Sequence, residues 1–126
     1  MIDELTTVTG AQLEQIVYRL FTSRWNFDED NVYLVGQSGD YGVDVLATDD
    51  TEHQIGVQVK AYSNSVGLPA VQQIVAAKAM YGFDEGWVVT NNVLTKNAHR
   101  LARANNIRVI EGQELRRLVY EMNGRW

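Results

Sequence analysis

Apolar and polar positions in this chain repeat with two different periods, and the changes between them mark out the elements. Near the start, Leu13, Ile16, Val17, Leu20 and Phe21 recur at the three-and-four spacing of one helix face. Thr9 and Gln12 stand just ahead of them in the arrangement of a capping box, so the pattern predicts a helix over about residues 10–23. Three strand-like segments follow, at Val32–Val35, Val43–Ala47 and Gln54–Ala61. Gly36-Gln37-Ser38-Gly39 separates the first two, and Thr48–Glu52 has the composition of a hairpin loop. The second half returns to helical spacing. Pro69 suits a first helical turn, and Val71, Ile74 and Val75 supply a buried stripe to about Tyr81. Gly86–Thr90 reads as a short central strand, and Thr95 caps a helix to about Asn105 with Ala98, Leu101 and Ala102 facing inward. Ile107–Ile110 is a last strand, and Leu115, Leu118, Val119 and Met122 mark a final helix. The order is α-β-β-β-α-β-α-β-α, a meander followed by strand–helix–strand crossovers. It predicts an α/β fold: a mixed central β-sheet flanked by helices on both faces.

Composition narrows the class. The 126 residues fit one compact domain over 1–126 and can bury a core without staples. Cysteine is absent, which excludes disulfides and thiolate metal sites. The acidic start, Met1-Ile2-Asp3-Glu4, is not a secretory signal, and no apolar run has membrane-spanning length. These features predict a soluble cytoplasmic protein with no membrane partner. The net charge of −5 and pI near 4.9 argue against a general nucleic-acid coating protein. They leave room for an enzyme that acts on nucleic acid through a locally basic surface. Such a surface is present: on the third helix Lys96, Arg100 and Arg103 fall within about 60° of one another, opposite the apolar stripe. The plain alternative is a solvated helix face. Arg116, Arg117 and Arg125 form a second, looser basic group. His53 and His99 show no metal-ligand spacing.

Strand periodicity supplies candidate chemistry. In Gln54–Ala61 the apolar Ile55, Val57, Val59 and Ala61 point one way and Gly56, Gln58 and Lys60 the other. In the preceding strand Val43, Val45 and Ala47 share a face and Asp44 lies opposite. Paired as a hairpin, the two strands bring Asp44, Gln58 and Lys60 to one side of the sheet. A carboxylate and carbonyl oxygens suit Mg²⁺, with Mn²⁺ able to substitute, and the expected ligand set is Asp44, Gln58, the Val59 backbone and Glu14. A lysine two residues beyond the amide orients or deprotonates water and offsets phosphate charge, which together make a kit for phosphodiester hydrolysis. Glu14 sits about a quarter turn from the centre of the first helix's stripe, where it can lean over the sheet edge. Taken singly, each of these residues is an ordinary surface or turn residue.

Their order is less ordinary. Thr9-Gly10 precedes Leu13-Glu14, then come Gly39-Asp40-Tyr41-Gly42-Val43-Asp44-Val45 and Gln58-Val59-Lys60-Ala61-Tyr62. Val71-Gln72-Gln73, Val88-Val89-Thr90-Asn91, Thr95-x-x-Ala98 and Ile107-Arg108-Val109-Ile110 complete the series. Over roughly residues 9–119 the chain resembles the Mrr-like restriction endonucleases of the PD-(D/E)XK nuclease superfamily. The resemblance implies a metal-binding role for Asp44 and a catalytic one for Lys60. Gln58 matches the glutamine this family carries where most of the superfamily has an acid. Glu14 matches the helix glutamate, and Asp40 a recurrent aspartate with an outer-shell or turn role. Tyr41 and Tyr62 border the expected site, Tyr62 within reach of nucleic acid.

The function expected is a Mg²⁺-dependent endodeoxyribonuclease, restriction-type or structure-specific, with DNA as partner and target reading left to a separate partner protein. Cutting both strands needs two sites, so a homodimer is compatible. The alternatives are a Holliday-junction-resolvase-like nuclease, or a noncatalytic nucleic-acid- or partner-binding module on the same fold. The presence of both Asp44 and Lys60 weighs against the last.

Overall fold

The computed structural model describes residues 3–35 and 42–124. Asp40, Tyr41, Arg125 and the Gly36–Gly39 separator lie outside the described residues.

Thr9 and Gln12 close a reciprocal capping box, with Gln12 N–H donating to Thr9 Oγ1 at 3.1 Å and Thr9 N–H to Gln12 Oε1 at 2.9 Å. They open helix α1, Gly10–Arg19. The chain then winds on in a wider turn, Leu20–Arg24, where Trp25 N–H reaches the Leu20 carbonyl. Three strands follow: β1 Val32–Leu34, β2 Val45–Thr48 and β3 Gln54–Lys60. After them come α2 Leu68–Tyr81, β4 Glu85–Thr90, α3 Lys96–Ala104, β5 Arg108–Ile110 and α4 Gly112–Met122.

The five strands stand in chain order, β1-β2-β3-β4-β5. The first three pair antiparallel and the last three parallel, so the sheet is mixed. Successive crossovers of one hand, advancing in one direction, leave α2 and α3 on the same face. There Ala70, Val71, Ile74 and Ala77 of α2 pack with Ala98 and Ala102 of α3 and with Val88. On the other face α1 and α4 supply Leu13, Val17, Leu115, Leu118 and Val119 against Val45, Val57, Val59 and Val89. Phe21, Trp25, Phe27 and Trp87 complete that side with ring centroids 5.0–5.5 Å apart.

One strand differs from the alternation read in the sequence. Val43 packs with the α2/α3 cluster, whereas Val45 and Ala47 pack with the α1/α4 cluster, so Val43 does not share their face. The reason is a local bulge. Val45 pairs with Val57, yet Asp44 N–H also donates to the Val57 carbonyl at 2.8 Å, so two residues oppose one. Asp44 therefore precedes the regular strand and leaves its alternation.

Candidate active site

The bulge fixes Asp44 at the end of the sheet where β2 begins and β3 ends. Its N–H bonds the Val57 carbonyl and its Oδ2 accepts from Val59 N–H at 2.7 Å, so it straddles Gln58 on the neighbouring strand. The carboxyl is half-buried, and desolvation pushes it above the usual carboxylate range, although the Val59 N–H and the Lys60 charge act the other way. Glu14 reaches the same place from α1. Burial raises its carboxyl too, and the nearby Asp44 charge adds to the rise. Lys60 closes β3 and stands within electrostatic reach of Asp44, with its Nζ 5.8 Å from the Tyr62 ring centre. The structure thus brings Asp44, Glu14 and Lys60 together, although Asp44 arrives through a bulge and not by plain strand alternation.

Gln58 sits on the α2 side of β3 and is wholly buried. Its Nε2 donates to Gln73 Oε1 of α2 at 2.6 Å, while its Oε1 has no hydrogen-bond partner. Gly42 covers this pair with φ of 82°, and a Cβ there would collide with Gln58 Nε2. Gly42 is needed on both counts, because side chains avoid that conformation and that space. Leaving a buried acceptor unpaired costs about 1–3 kcal/mol, so this oxygen is available to a water or an ion.

These donors test whether a hard divalent cation fits. Among the described residues no three His, Cys, Asp or Glu side chains gather as a metal site. Only two carboxylates converge here, and the remaining oxygens are the Gln58 amide and main-chain carbonyls such as that of Val59. That mixture is the kind a water-retaining ion such as Mg²⁺ accepts. Two partly buried acids, both raised by desolvation and Glu14 further by the Asp44 charge, together with an unpartnered amide oxygen make an oxygen-rich, acidic donor set. The residues present fit the ion.

Neighbouring loops hold the end of β3. Asn91, buried beyond β4, accepts from Tyr62 N–H at 2.9 Å and donates to the Leu5 carbonyl at 2.8 Å. The segments after β3 and β4 are tied by a parallel bridge between Val66 and Leu94. This places the starts of α2 and α3 at the same end as Lys60. Sequence reasoning gave Gln73 and Gly42 no role. Both lie inside the quoted motif series, but only the fold shows that they meet Gln58.

Lys96, Arg100 and Arg103 are exposed and have no ion-pair or hydrogen-bond partner among the described residues. Other arginines are engaged: Arg24 with Glu121, Arg108 with Glu114, Arg116 with Asp3 and Arg117 with both Glu114 and Glu121. The looser basic group foreseen at Arg116 and Arg117 is therefore neutralised locally. His53 pairs with Glu85 at 2.6 Å at the far end of the sheet, and His99 with Glu111 at 2.8 Å.

A family model for the Mrr catalytic domain, described as restriction endonuclease, matches residues 5–119. No curated protein matches the chain in sequence. Among solved structures, a repair endonuclease from Pyrococcus abyssi superposes with a TM-score of 0.54 at 22% identity, over 78% of this chain and 46% of that one. A protein of unknown function, AF1548, gives 0.64 at 16% identity, over 88% and 67%. EndoMS in complex with double-stranded DNA gives 0.53 at 21% identity, over 82% and 45%. The chain spans about half the length of the first and third of these. At these identities the likeness establishes the fold: a mixed five-stranded sheet between two pairs of helices. No helix among the described residues is long and apolar enough to cross a membrane.

Proposed function

Because the chain belongs to the Mrr-like restriction endonuclease family, we propose that it is a divalent-metal-dependent endodeoxyribonuclease whose site is formed by Asp44, Glu14, Gln58 and Lys60. The observation that carries this reading is the pairing of two acids held above their usual range with an orphaned, buried Gln58 oxygen. Such a set of carboxylate and amide oxygens suits a hard divalent cation. Mg²⁺, with Mn²⁺ as a substitute, would be held by Asp44, Glu14, the Gln58 Oε1 and the Val59 carbonyl. Such an ion supplies a Lewis acid for the phosphodiester and a source of hydroxide near neutral pH.

The chain's own groups do the rest. Asp44 is pinned by the Val59 N–H, so its second oxygen is aimed without loss of rotamer freedom at binding. Lys60 brings a positive charge to the phosphoryl oxygens, where negative charge grows as the attacking oxygen adds. Its place beside Asp44 puts that charge next to the proposed metal site. Asp40, outside the described residues, is proposed to steady the loop ahead of Asp44.

DNA is the proposed substrate, tracked along α3 by Lys96, Arg100 and Arg103, with Tyr62 against the strand near the site. At 1.5 Å per residue the stripe extends roughly 10 Å away from the site end, a few phosphates' reach. Reading of a particular target is proposed to come from a partner protein, and cleavage of both strands from two copies. The test is incubation of purified protein with supercoiled plasmid, a four-way junction and single-stranded DNA, each with Mg²⁺, with Mn²⁺ and with chelator. Metal-dependent nicking or linearisation of plasmid supports the restriction-type reading, and selective cutting of the junction supports the resolvase-like one. No cleavage of any substrate in either metal contradicts the proposal.

A further inference from the structure

An amide in a metal site carries a problem that a carboxylate does not. The two oxygens of a glutamate are equivalent, but a glutamine presents either one acceptor or one NH₂ group, and a half-turn about its last bond exchanges them. If the NH₂ of Gln58 faced the site, it would offer the cation nothing and set donor hydrogens against positive charge. Something must therefore fix which end faces which way.

The structure offers one group placed to do so. Gln73 Oε1 lies 2.6 Å from Gln58 Nε2, and this is the only hydrogen bond the buried amide makes among the described residues. Gln73 lies one turn into α2, next to Ile74, which is fully buried, so its Cα is set by the core and not by solvent. Gly42 closes over the pair, leaving no space for a side chain of its own above it. We infer that Gln73 is a positioning residue: by accepting from Gln58 Nε2 it holds the Gln58 carbonyl oxygen toward the metal site. It touches neither metal nor DNA and acts through Gln58. The inference rests on the metal site proposed above.

The test is a thermal-melt titration with Mg²⁺ and with Mn²⁺, without DNA, on four proteins: wild type, Gln73→Ala, Gln58→Glu and the double variant. Gln73 is exposed, so its replacement leaves the core intact, and melts in chelator verify folding. In the wild-type background Gln73→Ala should weaken the half-saturating metal concentration about 10-fold, as loss of a ligand's supporting hydrogen bond does. In the Gln58→Glu background, where both ends of the side chain are oxygen, the same change should shift it less than about 2-fold, the ion still meeting a carboxylate oxygen. An equal shift in both backgrounds would mean that Gln73 does not act through amide orientation, and overturns the inference alone. No shift in the wild-type background overturns it as well. No metal response in any of the four proteins removes the proposed metal site, and this inference with it.

Discussion

Replacing Lys96, Arg100 and Arg103 together with alanine isolates the surface proposed to carry DNA. All three are exposed and unpaired among the described residues, so their removal breaks no ion pair and opens no cavity. Alanine is also the strongest helix former, so α3 should persist and stability should move by no more than about 0.5 kcal/mol. The effect on binding is large by comparison. Each phosphate neutralised contributes roughly 0.9 to the slope of log affinity against log salt, so three lost contacts flatten it by about 2.7. Between roughly 50 and 200 mM salt that amounts to about a 40-fold smaller loss of affinity for the variant. The assay is fluorescence anisotropy with labelled duplex, in Ca²⁺ to occupy the site without turnover, across a salt series and two unrelated sequences. Arg117→Ala is the control, because Arg117 is already bonded to Glu121 at 3.2 Å and should leave the slope unchanged. A triple variant with the wild-type slope would refute the reasoning and return α3 to a merely solvated face.

Gly42→Ala should cost about 2–4 kcal/mol by urea unfolding, from a positive-φ alanine and a disrupted buried amide pair, and should also weaken Mg²⁺ binding; a wild-type melt would place Gln58 elsewhere. Asp44→Asn should raise the metal-free melting temperature by a few degrees at pH 7. Burial lifts the folded carboxyl above its unfolded value, so stability is lost progressively as pH rises from the unfolded value through the folded one, and the gain from Asn should vanish as pH falls below about 3.9. A gain independent of pH would contradict that origin. Glu14→Gln removes one of two facing acids, so metal-free stability should rise slightly while the half-saturating Mg²⁺ concentration increases; equal half-saturation would make Glu14 a helix-surface acid.

Much of the fold could be read from the chain because its signals are local and agree with one another. The capping box at Thr9 and Gln12, the proline and terminal glycine of α2 and the alternation in β3 each specify an element by short-range chemistry. The approach of Glu14 to Asp44 was readable from its angle off the apolar stripe. The bulge at Asp44 was not. Alternation counts residues, whereas a strand is paced by hydrogen bonds, and two residues that share one partner leave no mark in the apolar pattern. Gln73 was hidden for a different reason. On α2 it reads as a solvent-facing amide, and its partner lies 15 residues away on a strand whose facing helix is known only once the crossover is built.

The most direct test of the account is a plasmid-cleavage time course in Mg²⁺ comparing wild type with Lys60→Ala, both purified through a denaturing step to remove host nucleases and then refolded. Lys60 lies at the end of β3 and only partly buried, so the variant should fold and still bind metal, as melts with and without Mg²⁺ would verify. With the charge that meets the developing phosphate negative removed, cleavage should fall by about 100-fold or more. Wild-type rates from the folded Lys60→Ala protein would contradict the assignment of the site.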